Sequence, residues 1–297
     1  MQVQQIAYVI RQRLLAQTEV IDTCPGHRVG LALSGGVDSC SILAAMLLNG
    51  KKPVILSYTP DTHESTDFQM ARQCAGDLGL EFVPVVVPME ASVLEATVRE
   101  IIDNGYKTKL EVECMTPMLH VLEAAEKAGI HCLFTGDQAD GFFINNNWMA
   151  RNFDRARGIP GYLRTAVKTD DDPWRIDQLR DIYWFEDRSC QQALKHIARS
   201  RNGLVLEVPY RDQAIREAFM GTLWRDVNVP RIKEPIRLAF KDVLNVRIPT
   251  RPLPVNLHKG DSYFAERMGR MLMEQPHLKG PWKTTTGLYA AMSRDEV

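Results

Sequence analysis

Two short loops contain the residues able to do chemistry. The first, Ser34-Gly35-Gly36-Val37-Asp38-Ser39, lies between an apolar run ending at Leu33 and a helical pattern through Ile42, Leu43, Ala45, Met46 and Leu47. Two glycines let the backbone turn sharply and approach a ligand with no side chain in the way. The N–H groups of the helix start, together with the hydroxyls of Ser34 and Ser39, make a cradle for phosphate oxygens. Asp38 repels phosphate unless a cation lies between them, so this loop also implies Mg²⁺. The second loop, Thr135-Gly136-Asp137-Gln138-Ala139-Asp140-Gly141-Phe142-Phe143, sets two more carboxylates directly after the apolar run Ile130–Phe134. Aspartates of this kind also cap loops and meet solvent.

The elements around these loops follow from periodicity. Ile6, Val9, Ile10 and Leu14 predict a helix over 2–20, ended by Cys24-Pro25-Gly26, and a strand follows over 28–33. Asn49-Gly50 stops the next helix, and Pro53–Tyr58 reads as a second strand. Phe68, Ala71, Ala75 and Leu78 form one helical face, Gly79 ends it, and Glu81–Val87 is a third strand. Helices are expected over 91–103 and from Pro117 to Ala128, with Ile130–Phe134 as the next strand. Strands alternating with helices imply an α/β fold, a Rossmann-like parallel sheet with helices on both faces. In such a sheet ligands bind at the carboxyl ends of the strands, and both loops lie there, on one rim.

Past about residue 150 the pattern changes. Arg, Asp, Trp and Tyr become frequent, prolines punctuate short helical patterns (Leu194–Ile197, Ala214–Leu223, Ile236–Leu244), and strand signals fade. The division expected is an N-terminal helix over 1–27, a nucleotide-binding core over 28–150 and a helical C-terminal lobe over 151–297 packed on that core. Trp148, Trp174, Trp184 and Tyr183 are expected to pack the lobe, and Cys114 and Cys132 to belong to the core.

The 297 residues carry a net charge of −1 with no basic block, which argues against a broad nucleic-acid surface. No run approaches the roughly 18 apolar residues of a membrane span. The amino-terminal residues lack a signal-peptide layout. Six scattered cysteines without a Cys-x-x-Cys pair argue against structural zinc and a disulfide framework, and point to reduced thiols in a cytoplasm. The seven histidines show no metal-ligand spacing.

With these residues in view, the first loop resembles the pyrophosphatase loop of the ATP-pyrophosphatase (PP-loop) superfamily, whose enzymes cleave ATP between the α- and β-phosphates. It is not a Walker loop, because the Gly-Lys-Ser/Thr ending is absent. The second loop is similar to the Thr-Gly-Glu-Gly-Ala-Asp-Glu-Leu-Phe of asparagine synthetases. The resemblance implies that Asp38 and Asp140 bind Mg²⁺ and that Asp137 stands where the family's glutamate handles the attacking amine. It implies ATP contacts at Leu33, Ser34, Gly35, Gly36, Asp38, Ser39 and Gly136, with adenine near Leu56 and Ser57. Gln138 and Gly141 replace the family's glycine and second acid. Further on, Glu207-Val208-Pro209-Tyr210-Arg211-Asp212 resembles the family's Arg-Val-Pro-Phe-Leu-Asp, with Glu207 at the arginine position. Ile232-Lys233-Glu234-Pro235-Ile236-Arg237 resembles its Lys-x-x-Leu-Arg stretch near the triphosphate, which makes Lys233 a catalytic candidate. The family's Arg-x-Lys is missing at Thr250-Arg251-Pro252-Leu253, and Lys259 is the nearest substitute.

This resemblance implies an AMP- and pyrophosphate-forming amide ligase that adenylates a carboxylate, aspartate or a related acid, and passes it to ammonia or another amine. Family amidotransferases begin with a glutaminase domain whose nucleophile is the cysteine after Met1. Gln2 stands there in this sequence, so the ammonia source is expected to be free ammonia, another amine or a separate glutaminase. Two other functions fit the same loops: a superfamily enzyme activating a nucleobase or other oxygen, and a catalytically silent nucleotide-binding subunit.

Overall fold

The computed structural model describes residues 2–19, 28–144, 168, 171–185, 191–200, 203–250, 262–281 and 283–294. Its centre is a parallel sheet of β1 (Arg28–Ala32), β2 (Val54–Pro60), β3 (Phe82–Val87), β4 (Ile130–Phe134) and β5 (Val205–Glu207) in the order β3-β2-β1-β4-β5. The α/β expectation holds. The chain winds outward from β1 through β2 to β3, then returns to place β4 on the other side of β1. The rim between β1 and β4 is therefore the switch point at which a crevice opens in such sheets.

Alternation along the strands divides the apolar side chains between the two faces. Leu31, Leu33, Ile55 and Phe134 face one core, and Val54, Leu56, Val85, Leu133 and Leu206 face the other. The first core is covered by α1 (Gln2–Glu19), α2 (Val37–Leu48) and α3 (Thr66–Asp77). The second is covered by α4 (Ala91–Asp103) and α5 (Lys109–Lys127). A strand buried on both faces needs apolar residues at every position, which is why these runs read as continuous rather than alternating.

The later elements are distributed over both layers. After α6 (Ala139–Phe143) come α7 (Pro173–Phe185), α8 (Gln191–Ser200), α9 (Gln213–Phe219), α10 (Trp224–Asn228), α11 (Glu234–Ala239), α12 (Ser262–Met273) and α13 (Thr285–Met292). α9 and α11 pack on α1, whereas α12 and α13 pack on α4 and α5. The fading of strand signals past residue 150 hid β5, whose three residues pair with β4 as Cys132↔Val205, Leu133↔Leu206 and Phe134↔Glu207. Three residues are too few for a period-2 pattern to register.

Three further expectations are corrected. The helix expected from Pro117 starts eight residues earlier, at Lys109, because Thr108 and Glu111 form a reciprocal capping box. Pro117 lies inside that helix. Cys114, on its first turns, is exposed and not in the core, and Trp174 is also exposed. Trp148 lies outside the described residues. Among the described residues no helix is long and apolar enough to cross a membrane.

Thr108→Ala removes the cap of α5 at an exposed position. It should lower unfolding free energy by ~1 kcal/mol, read from the urea midpoint, and leave ligand binding in the rim cavity unchanged.

Candidate active site

The two loops meet because their parent strands are neighbours. β1 leads into the first loop and α2, β4 into the second loop and α6. Contact between them is tight enough to dictate residue type. A Cβ on Gly136 would lie 2.8 Å from the backbone nitrogen of Ser39 and 3.2 Å from the carbonyl carbon of Asp38. Any side chain at Gly136 would drive the second loop away from the start of α2. Gly35 has φ +70°, in the left-handed region, and a Cβ there would lie 2.8 Å from Cβ of Met70.

Within the first loop the hydroxyls face each other. Ser34 Oγ and Ser39 Oγ are 3.3 Å apart, Gly36 N–H donates to Ser34 Oγ at 3.3 Å, and Ser39 Oγ donates to the Gly36 carbonyl at 3.3 Å. These bonds are long for their kind, so exchanging them for shorter bonds to anionic oxygens gains energy.

Lys233 joins the loops. Its ammonium pairs with Asp38 Oδ2 and, at 2.5 Å, with Asp140 Oδ1. The lysine is buried and its backbone is left-handed at φ +60°, just ahead of α11. That backbone is pinned by Asn228, whose Oδ1 accepts from Lys233 N–H at 3.2 Å while its Nδ2 donates to the Phe143 carbonyl at 2.9 Å. One buried amide thus ties the end of α6 to the residue that grips Asp38 and Asp140. Burial and the neighbouring Asp140 charge raise the Asp38 carboxyl to about 6, against the opposing pull of Lys233. Burial alone would lower the Lys233 ammonium, but Asp140 and Asp38 outweigh it and hold the lysine above its ordinary value.

A cavity of about 410 Å³ opens on this rim. Its wall includes Leu33, Ser34, Asp38, Ser39, Leu56, Ser57, Gly136, Asp137 and Asp140, so most of the residues singled out from sequence share one space. Gly35 and Gly36 shape the turn and Lys233 grips the aspartates, but none of the three lines the cavity. Lys259, Arg251 and Leu253 lie outside the described residues. The carboxylates of Asp38, Asp67, Glu113, Asp137 and Asp140 all line the cavity. α5 contributes Glu113, Cys114, Pro117, Met118 and Val121, which sequence reasoning missed because the helical period does not mark which residues pack beside the rim.

The second loop has its own supports. Thr135 Oγ1 donates to Asp137 Oδ2 at 3.0 Å, which orients that carboxylate. Gln138 follows with φ +75° and is 2% exposed. Its Oε1 accepts from Gln191 Nε2 of α8 at 2.9 Å. The absence of an acid at position 141 has a steric basis. A Cβ on Gly141 would lie 2.1 Å from the ring of Tyr183, which packs there and also lines the cavity. The 207–212 segment is structural: Tyr210 hydroxyl and Ser41 Oγ are 2.6 Å apart in the interior, and Asp212 caps α9 through Ala214 and Ile215 N–H.

Against known proteins, this chain matches the asparagine synthase family over residues 25–253. The chain belongs to the asparagine synthase family. No curated protein matches it significantly. An NMN synthetase from Francisella tularensis shares 14% identity over 83% of this chain and 98% of that chain, at a TM-score of 0.35, too loose to carry an argument. The asparagine synthase match covers both loops and the Lys233 segment that meets them.

Two residues of the cavity wall each carry a buried side-chain atom that no hydrogen bond meets. Asp38 Oδ1 is buried with no hydrogen-bond partner, as is the Nε2 donor of Gln138. Two carboxylates against one ammonium leave the Asp38, Asp140 and Lys233 trio with one net negative charge. An unpartnered acceptor in an anionic group fits a cation. Among the described residues no cluster of three or more His, Cys, Asp or Glu side chains is arranged to hold a metal alone.

Lys233→Met would leave Asp38 and Asp140 facing each other without their cation. Removing one partner of a buried pair costs about 3 kcal/mol or more. The loss should be larger at pH 8 than at pH 5, because protonation of Asp38 at the lower pH relieves the repulsion. Urea unfolding of both proteins at the two pH values checks the sign.

Proposed function

We propose that this chain is an ATP-dependent, AMP- and pyrophosphate-forming carbon–nitrogen ligase that activates a carboxylate as its adenylate and transfers the acyl group to an amine. The observation that carries this reading is the convergence of Asp38 and Asp140 on Lys233, beside a glycine turn and helix start, in the rim cavity. Membership of the asparagine synthase family supports the nucleotide and the class of reaction.

The triphosphate would lie against the first loop, where Ser34, Ser39 and the N–H groups of the helix start supply donors. Adenine would lie along Leu56 and Ser57. Asp38 and Asp140 would hold Mg²⁺, which keeps few protein carboxylates and completes its shell with phosphate oxygens and water. When bound, Mg²⁺ would neutralise charge on the phosphates. Lys233 supplies a fixed positive charge at the same end, positioned before the reaction starts, so no reorganisation is needed as charge builds on the leaving pyrophosphate. A carboxylate oxygen of the acid attacks the α-phosphorus, the bond to the β-phosphate oxygen breaks, and pyrophosphate leaves. The amine then attacks the acyl carbon and AMP departs. Asp137, oriented by Thr135, accepts a hydrogen bond from the amine and takes its proton. Holding acid, nucleotide and amine in one cavity supplies much of the acceleration.

The amine is ammonia or a larger amine, supplied free or by a separate glutaminase, and the acid is aspartate or a relative. Incubation with ATP, a panel of acids and ammonium, read by mass spectrometry for AMP and acyl-adenylate, identifies them. Asp38→Asn and Asp140→Asn should each reduce acid-dependent ATP–pyrophosphate exchange by about 10²-fold or more. Near-normal exchange in Asp38→Ala would rule the mechanism out.

A further inference from the structure

α6 is five residues long, so its backbone groups find few partners within it. Its position has to come from outside. Two side chains meet the carbonyls at its end: Arg180 Nε of α7 donates to Phe142 at 3.0 Å, and Asn228 Nδ2 of α10 donates to Phe143 at 2.9 Å. Arg180 is 2% exposed, and its contacts extend further. Its Nη1 is shared among Asp177 Oδ1 at 2.8 Å, the Phe219 carbonyl at 2.8 Å and the Thr222 carbonyl at 2.9 Å. Asp177 Oδ2 in turn accepts from Gly221 N–H at 2.8 Å, so the ion pair as a unit holds the 219–222 turn. That turn leads into α10, whose Asn228 accepts from Lys233 N–H. The rest of α7 grips the same short helix. Tyr183, on the face of α7 that carries Arg180, packs on Gly141, and Ile176 from the preceding turn clusters with Ile144.

We infer that Arg180 is a positioning residue: by fastening the end of α6 to the turn that leads toward Lys233, it sets where Asp140 meets the lysine ammonium. The consequence for that pair stands on geometry alone, and the consequence for catalysis rests on the ligase reading above. Asp140 lies on the first turn of α6, next but one to the residue whose carbonyl Arg180 holds. A single helical turn has no length over which to absorb a displacement, so a shift at Phe142 is a shift at Asp140. The Asp140 side chain is half exposed, so burial does not fix its carboxylate and the course of α6 does. A guanidinium suits the task because it presents its donors in one plane at fixed angles, and the carbonyls it bridges cannot shift independently. A lysine ammonium is shorter and turns freely. An apolar side chain leaves the Phe142, Phe219 and Thr222 carbonyls without this donor, and a buried carbonyl has no water to turn to. The segments would then move until they found partners, and the meeting of Asp140 with Lys233 would move with them.

The test uses the full chain. Arg180→Lys keeps a cation beside Asp177 and loses the fork, and Arg180→Met removes the donors as well. In acid-dependent ATP–pyrophosphate exchange both should lose about 10–100-fold in kcat, Arg180→Met the more, as expected for a site group displaced by about 1 Å. KM for ATP should stay within about threefold, because the triphosphate would lie against the first loop. Asp140→Asn supplies a readout that a merely structural role does not move. If Arg180 acts through Asp140, adding Arg180→Lys to Asp140→Asn should cost less than about threefold more, whereas general loosening multiplies the two losses. Multiplied losses overturn the inference, as do folded Arg180 variants with kcat within about threefold of wild type. A second cycle, in urea, needs no turnover. Lys233→Met should shift the unfolding midpoint of Arg180→Lys by about half as much as it shifts wild type, or less, because an Asp140 already out of place repels Asp38 less. In Leu272→Ala, a destabilised variant of the second core, the full shift should persist. Equal shifts in wild type and Arg180→Lys overturn the inference. Wild type that gives no exchange with any acid defeats the ligase reading, and the urea cycle then decides the placement of Asp140 alone. Arg180→Lys carries both cycles if Arg180→Met does not fold.

Discussion

Two carboxylates facing one another across a rim repel, and the site described above exists because Lys233 lies between them. Asp38 begins a helix after β1, Asp140 begins one after β4, and their approach is held by a buried ammonium delivered from α11. Each of the other features near the rim serves that arrangement. Gly136 allows the two loops to touch, and Asn228 fixes the left-handed backbone from which Lys233 reaches inward. Remove the lysine's charge and the two helix starts have an electrostatic reason to separate. The trio is nonetheless left anionic, and Asp38 keeps an oxygen without a partner. The same geometry that stabilises the fold leaves a net negative charge and an unmet oxygen at the rim.

The sheet order explains why this can happen at one rim. β1 and β4 are neighbours although about a hundred residues separate them, because the chain leaves β1 to build β2 and β3 and then returns to the opposite side. The cavity lies where those paths diverge. α5 then lines the cavity with Glu113, Cys114, Pro117, Met118 and Val121, while α7 and α8 send Tyr183 and Gln191 to the second loop. Acidic and apolar side chains thus share one cavity wall, with the two loops at the strand ends and α5 beside them.

The departures from the family pattern at Gln138 and Gly141 become intelligible only together. Tyr183 occupies the space that a side chain at 141 would need, so an acid there is sterically excluded. Gln138 takes a backbone conformation suited to glycine and brings a buried amide into the wall, steadied by Gln191. Both substitutions involve residues of the later helices. This loop is thus shaped by segments distant in sequence, while its aspartates remain where the motif sets them.

Much of the molecule was legible without coordinates. Continuous apolar runs, each followed by a glycine or serine turn and a helical period, determine a parallel sheet and put both loops on its carboxyl rim, because strand burial and chain direction are local consequences of residue order. The types of Ser34 and Asp38 point to a phosphate cradle and a cation, whereas the expectations for Asp137 and Asp140 come from the resemblance of their loop to the family's. Three things depended on tertiary structure. β5 is too short to carry a pattern of its own and exists because β4 offers it an edge. That α5 lends Pro117, Met118 and Val121 to the cavity depends on its packing over the sheet, whereas its start at Thr108 and Glu111 is a local cap that periodicity alone does not mark. The union of Lys233 with Asp38 and Asp140 requires a chain separation of almost two hundred residues to close, and charge pairing over that distance is decided by packing, not by spacing along the chain.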